Sequence, residues 1–176
     1  MVINRIAIRT AIPQDAKQIA SIHVRTWQCA YRGQIPESYL DSLSIEKRTK
    51  LWKDQLKNPT DGTHTFVAEK NGIVVGWCTT GINRDEDVTK DTGELYGIYM
   101  DPEFIGKGIG SELMKYALNV LKNDGYKKAT LWVLTTNENS RKFYEKKGWK
   151  IKGKTKIDKR DDFGLHETRY ITELGN

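Results

Sequence analysis

The 176-residue chain predicts a mixed α/β domain built around one sheet. Three observations carry that reading. Strand-like and helix-like stretches alternate from end to end. Two strand-like runs meet at an Asn-Gly pair, the strongest short-range hairpin signal. Gly106, Gly108 and Gly110 stand at every second position between a strand and a helix, where a concentration of backbone freedom costs entropy and so suggests a close approach to the backbone. The length suits one domain, 1–176, with its core from about residue 5 to 174.

The elements follow in order. RIAIRTA alternates like a first strand, and PQDAKQIASIHVRTWQCAY turns helical, with Ile19, Ile22, Thr26 and Ala30 on one face and Pro13 in the first turn. Ser44 is a fitting N-cap for a second helix, which Pro59 ends. THTFVAEKNGIVVGWCTTG is the hairpin around Asn71-Gly72. The polar loop NRDEDVTKDT leads into the strand GELYGIYM, followed by the glycine run and a helix with Leu113, Met114, Ala117, Leu118 and Leu121 in one stripe. Gly125 stops it. KKATLWVLTT is apolar on both faces, as a central strand covered on each side would be. NENSRKFYEKKGW reads as a short helix between Asn and Ser caps and Gly148, and WKIKGK and LHETRYITEL close the chain as two strands.

Composition narrows the function. Hydrophobic residues at 38% and charged residues at 30% describe a globular chain. Arginines interrupt the first apolar stretch, so it is no signal peptide, and no run approaches the roughly 20 apolar residues of a membrane span. A cytoplasmic protein without membrane contact is expected. Cys29 and Cys78 read as reduced, largely buried thiols, and His23, His64 and His166 form no metal-ligand pattern, so no metal site is expected. The net charge of +6 is spread along the chain without a nucleic-acid recognition motif; it equally suits a small polyanionic ligand. An RNA-associated protein is the rival reading, with salt-sensitive RNA retention as its test.

The glycine run precedes a helix whose free N–H groups and dipole make an anion site, and glycines at 106, 108 and 110 let a pyrophosphate approach without meeting a Cβ. The spacing is neither the dinucleotide fingerprint nor the P-loop. A tight loop without a ligand is the plain alternative. Two blocks go further: IYMDPEFIGKGIGSELM, then LWVLTTNENSRKFYEKKGW. Together they resemble the two signature blocks of the GNAT superfamily of acetyl-CoA-dependent N-acetyltransferases, and the opening strand and helix resemble that family's start. The resemblance implies a mixed, mostly antiparallel central sheet with helices on both faces. It also implies transfer of an acetyl group from acetyl-CoA to the primary amine of a small molecule or peptide, by direct attack. A non-catalytic acyl-CoA-binding module is the alternative. Dimers are common among look-alikes, and the sequence fixes no oligomeric state.

Residue by residue, the resemblance implies that the Ile98–Tyr99–Met100 strand end bonds the pantetheine arm through the backbone of Ile98 and Met100. Gly106, Lys107, Gly108, Ile109, Gly110 and Ser111 would hold the pyrophosphate, and Asn137 would contact the cofactor. Tyr144 would protonate the departing thiolate, and the Met100 N–H would stabilise the oxyanion. Glu94, on the same strand, is the candidate base for an amine that is mostly protonated at pH 7. Each assignment has a plainer rival: Tyr144 as a packed aromatic beside Phe143, Glu94 as a solvated strand-end carboxylate. Ile105 departs from the family's Arg or Gln, leaving Lys107 or Arg141 to supply positive charge. His23, Trp27, Tyr31 and Trp77 are candidates for the acceptor pocket or for the core, and Asp85–Asp87 for a cation-attracting loop or an ordinary exposed one.

Overall fold

The computed structural model describes residues 6–160 and 162–175. Its elements run β1 (Ile6–Thr10), a 3-10 turn (Pro13–Asp15), α1 (Ala16–Ala30), α2 (Glu37–Ser42), α3 (Ile45–Lys57), β2 (His64–Lys70) and β3 (Ile73–Ile82). Then come β4 (Thr92–Met100), a 3-10 turn (Pro102–Phe104), α4 (Ile109–Asn123), β5 (Lys128–Leu134), α5 (Glu138–Lys146), β6 (Lys150–Lys159) and β7 (Gly164–Glu173). Arg5, where the sequence reading starts the first strand, lies outside the described residues.

Seven strands form one sheet in the order β1-β2-β3-β4-β5-β7-β6. Every pairing is antiparallel except β4 with β5. Asn71 and Gly72 both have positive φ, 52° and 81°, which gives the β2–β3 turn the twist of its flanking strands. Ser44 caps α3 by accepting from the Lys47 N–H, as its position predicts.

Helices cover both faces. On one, Ile19 and Ala20 of α1 and Trp52 of α3 pack on Val67, Val74 and Trp77. On the other, Leu113, Met114, Ala117 and Leu121 of α4 meet Leu95, Leu131, Val133 and Tyr170, with Tyr144 and Trp149 closing the α5 end. The apolar stripe read in α4 is this buried face, with Leu118 at its margin. Among the described residues no helix is long and apolar enough to cross a membrane.

Three expectations change. The two-turn α2 was not foreseen; only Leu40 of it is buried, so it carries no periodicity. Cys29 is exposed, at the outer side of α1, whereas Cys78 is buried and burial pushes its thiol up. Strand β5 is apolar throughout only toward α4. On its other face Thr130 accepts from the Asn83 amide and Trp132 donates to Asp85, so a polar loop lies there, and Leu134 alone joins an apolar cluster with Trp27 and Leu40.

Candidate active site

The site begins where two strands part. β4 and β5 pair only at Thr92↔Lys128, Gly93↔Ala129 and Glu94↔Thr130. Beyond Glu94 the strands diverge, while β4 stays on β3 and β5 stays on β7 over its whole length. The cause is local: β4 is irregular between Gly97 and Leu95 against β3, and such an extra residue bends a strand. The result is a wedge-shaped gap with unpaired backbone on both lips.

Strand alternation decides which groups face the gap. Asp101 N–H donates to Val75 O at 2.9 Å, so Asp101 and Tyr99 exchange bonds with β3 and the backbone groups of Ile98 and Met100 point the other way. Thr26 of α1 donates to Met100 O at 3.1 Å, which leaves the Met100 N–H as the free polar group at the gap's edge. Arg25 pairs with Asp101 at 2.7 Å and fixes α1 to the same corner.

The glycine run follows at once. Gly106 and Gly108 have φ of 80°, and a Cβ built on either meets nothing within 4 Å. Gly108 in this left-handed conformation turns the chain into α4, which opens at Ile109. Ser111 N–H and Glu112 N–H donate to Gly108 O, but the N–H groups of Ile105 through Gly110 donate to no acceptor among the described residues. Six successive free donors beside a helix N-terminus form a cradle for anionic oxygens. Ile105 is exposed and supplies no charge. Arg141, considered as its substitute, is already committed: it donates to Tyr170 Oη and Thr135 O, both at 3.0 Å. Lys107 stands over the Phe104 ring at 4.9 Å, and Lys70 of β2, missed in the sequence, over the same ring at 5.5 Å. These two ammonium groups are the positive charge beside the cradle.

Across the gap, Asn137 caps α5 by accepting from Ser140 N–H at 3.2 Å. That helix turns Tyr144 inward. Its ring packs against Phe143, Trp149 and Tyr170, and 8% of the residue is exposed. Its hydroxyl forms no hydrogen bond among the described residues, and these ring contacts hold the phenol. Burial, and then the neighbouring Tyr99, push its pKa up, which keeps the phenol protonated. Tyr99 extends to the α1 side, stacked on Trp77 at 4.6 Å and on His23 at 5.1 Å. Trp27 and Trp77 are buried core residues, while Tyr31 is half-buried at the cluster's outer end.

Glu94, the candidate base, is engaged elsewhere. It is 1% exposed at the apex of the wedge, and both oxygens are taken by Arg84: Oε1 accepts from NH2 at 2.6 Å, and Oε2 accepts from the backbone N–H at 3.0 Å and from Nε at 3.1 Å. A carboxylate so occupied is not the solvated group of the plainer reading. It is also poorly placed to take a proton while that pairing holds. Nothing in the loop NRDEDVTKDT marks Arg84 as its partner.

That loop is itself pinned. Arg169 of β7, 4% exposed, donates bidentately to Asp87 at 2.7 and 2.9 Å and to Asp85 at 3.2 Å. Lys154 of β6 reaches Asp87 at 2.8 Å. Asp85–Asp87 therefore lock the loop to the sheet and wall an open groove of about 730 Å³ with Trp132, Lys154 and Lys156.

Comparison with known proteins gives this geometry its relatives. The model of the Acetyltransferase (GNAT) family matches residues 19–149. The uncharacterized N-acetyltransferase YuaI of Bacillus subtilis is 34% identical over 134 residues, 75% of this chain and 73% of its own. An N-acetyltransferase structure from Staphylococcus aureus Mu50 superimposes with a TM-score of 0.72 at 27% identity, covering 97% of this chain and 99% of that one. The fold is also that of the PaiA N-acetyltransferase of Thermoplasma acidophilum, solved with coenzyme A (TM-score 0.70, 21% identity, 96% and 99% covered). The chain belongs to the GNAT family of acetyltransferases.

Proposed function

We propose that this enzyme moves the acetyl group of acetyl-CoA to the primary amine of a small molecule or peptide by direct attack, within the gap between β4 and β5. Acetyl-CoA is the cosubstrate of the family, and the residues fit it. The amides of Ile105–Gly110, with Lys70 and Lys107 near, suit a pyrophosphate. The inward-facing backbone of Ile98 and Met100 suits the extended amide arm, laid down as a further strand would be. Ser111 and Asn137 complete the walls at the start of α4 and α5.

Each group then has one task. Met100 N–H donates to the thioester oxygen as negative charge develops there. Tyr144 Oη donates to the departing sulfur. Its raised pKa makes complete transfer to a thiolate uphill, so its contribution is a hydrogen bond that strengthens as charge grows. The surrounding tyrosines and tryptophans limit water at the reacting carbon. Glu94, held by Arg84, takes part in proton removal only through a water relay or after that pairing opens.

The observation that carries the reading is the Tyr144 phenol, buried in the wall that α5 supplies and without a hydrogen-bond partner among the described residues. A panel of amines, with thiol release from acetyl-CoA followed, is the direct assay. Tyr144→Phe should lower kcat by about 10²–10⁴-fold, with acetyl-CoA affinity and melting temperature almost unchanged. The missing partner explains the last point, because no structural hydrogen bond is removed. Near-normal kcat would end the assignment.

A further inference from the structure

We propose that Glu167 is the carboxylate that receives the acceptor's ammonium group and takes its proton, a role that rests on the acetyl-transfer reading above. Strand register places it. The last β4–β5 pair is Glu94↔Thr130, and from there Leu134 stands level with Ile98, or with Tyr99 once the extra residue in β4 is allowed for. Tyr99 and Leu134 pack into one apolar cluster, so they face the same side of the sheet across the gap. Glu167 is the direct partner of Leu134 on β7, and directly opposed residues of an antiparallel pair share a face. The carboxylate thus stands one strand beyond the gap, level with the Ile98–Tyr99 end of β4 and on the face that carries Tyr99.

Its surroundings suit the task. The Glu167 side chain is 20% exposed, and it is ion-paired with Lys156 Nζ of the facing strand at 3.6 Å, longer than a direct hydrogen bond. A carboxylate with one such partner keeps acceptor capacity for a ligand cation. The contrast with Glu94 is direct, since Arg84 fills both oxygens of that residue. Burial raises the Glu167 pKa, and the charged groups facing it are Lys156, Asp158 and Arg160 from β6 and the turn after it. Tyr31 and Tyr99 belong to the same apolar cluster as Leu134, the direct strand partner of Glu167.

The step balances as follows. The acceptor R–NH3+ gives a proton to the Glu167 carboxylate, and the freed amine forms the N–C bond to the acetyl carbon. The C–S bond breaks with its electrons on sulfur, to which Tyr144 Oη donates a hydrogen bond. The proton still on the new amide nitrogen passes to that sulfur, and Glu167 releases its own to water. The net change is amide, free CoA thiol and one proton.

The experiment compares wild type, Glu167→Gln and Glu167→Asp with the best amine of the panel, across pH. For Glu167→Gln we expect kcat/KM for the amine to fall about 10²-fold, with acetyl-CoA affinity and melting temperature unchanged. The acidic limb of the wild-type pH profile should disappear, and Glu167→Asp should recover part of the rate with that limb restored. Glu167→Gln within threefold of wild type at every pH would overturn the role while leaving acetyl transfer intact. Loss of rate that tracks lost folding or lost acetyl-CoA affinity in both variants would overturn it too, as a structural effect. Wild type that releases no thiol with any amine would instead sink the acetyl-transfer reading, and this proposal with it.

Discussion

The two halves of the sheet differ on the face that carries α1. From β1 to β4 that face is closed by hydrocarbon and aromatic rings: Ile19, Trp52, Val67, Val74 and Trp77 are buried together. From β5 to β6 the same face carries Trp132, Arg169, Glu167, Lys154 and Lys156 beside a loop that ion pairs hold down, and Leu134 and Leu165 there join a smaller apolar cluster with Trp27 of α1 and Leu40 of α2. On the opposite face one apolar cluster under α4 and α5 runs from Ile8 of β1 to Tyr170 of β7. The difference separates two duties. The first half holds the fold; the second leaves polar groups within reach of a ligand at the gap where the halves meet.

A matched pair of tryptophans tests that division. Trp77 is buried and touches Trp52, Tyr99 and His23. Trp77→Ala should cost about 3–5 kcal/mol, the range for a large core aromatic. For a chain of this size that lowers the melting temperature by roughly 10 °C or more. Trp132 donates to Asp85 and lies under Lys156 at 4.2 Å. Trp132→Ala should cost only about 1–2 kcal/mol, from one hydrogen bond and the cation–π contacts, and should raise the KM for the amine. Thermal melts of both variants decide the matter. Equal losses would mean that the second half is as much core as the first.

His23 supplies the next test, on pH. It lies on α1 among Trp27, Trp77 and Tyr99, its Nδ1 is buried without a partner, and burial, then the Arg48 charge, push its pKa down to about 3. The unfolded chain takes up that proton below about pH 6.5 while the folded one refuses it. The stability from keeping His23 neutral is therefore whole above pH 6.5 and falls away as pH drops from there toward 3. Between pH 7.5 and 5.5 the loss is about 1.4 kcal/mol. His23→Phe should flatten the pH dependence of urea unfolding by that amount. An unchanged slope would mean that His23 is hydrated in the folded protein and that the cluster is less closed than its packing implies.

The same contrast explains what was legible in the sequence. Local signals were read well: the positive φ angles of Asn71-Gly72, the Ser44 cap, the stripe on α4 and the glycine turn all depend on residues near in sequence. The second half of the sheet depends on distant ones. Arg169 meets Asp87 across 82 positions, and Arg141 reaches Tyr170 across 29, so no window along the chain contains either pair. Glu94 looked free because its partner, Arg84, lies in a polar loop where an arginine is unremarkable. Glu167 was missed for a related reason. Its meaning comes from being level with a gap between two other strands, and register is not written in composition.

The smallest expected change in stability belongs to the cradle and tests its use most cleanly. Gly108 is a poor site for this, because its φ of 80° strains any substituted residue whether or not a ligand binds. Gly110 has no such conflict. It is the second residue of α4, and an added Cβ would meet Met100 Cγ at 3.5 Å, Phe143 Cζ at 3.8 Å and Met100 Sδ at 3.9 Å, ordinary contact distances. Gly110→Ala should therefore leave the fold unharmed, or stabilise it by about 0.5–1 kcal/mol through the backbone entropy of the unfolded chain. If the free amides hold the pyrophosphate, the new methyl group stands where that ligand approaches. Acetyl-CoA affinity should then fall about tenfold, the worth of one well-placed charged hydrogen bond. Saturating acetyl-CoA should also protect the variant less than wild type, for which about 100 times the dissociation constant adds roughly 2.7 kcal/mol. Calorimetric titration alongside a melt separates the two effects. Unchanged affinity in a variant of equal or greater stability would mean that the glycine run turns the chain and does nothing more.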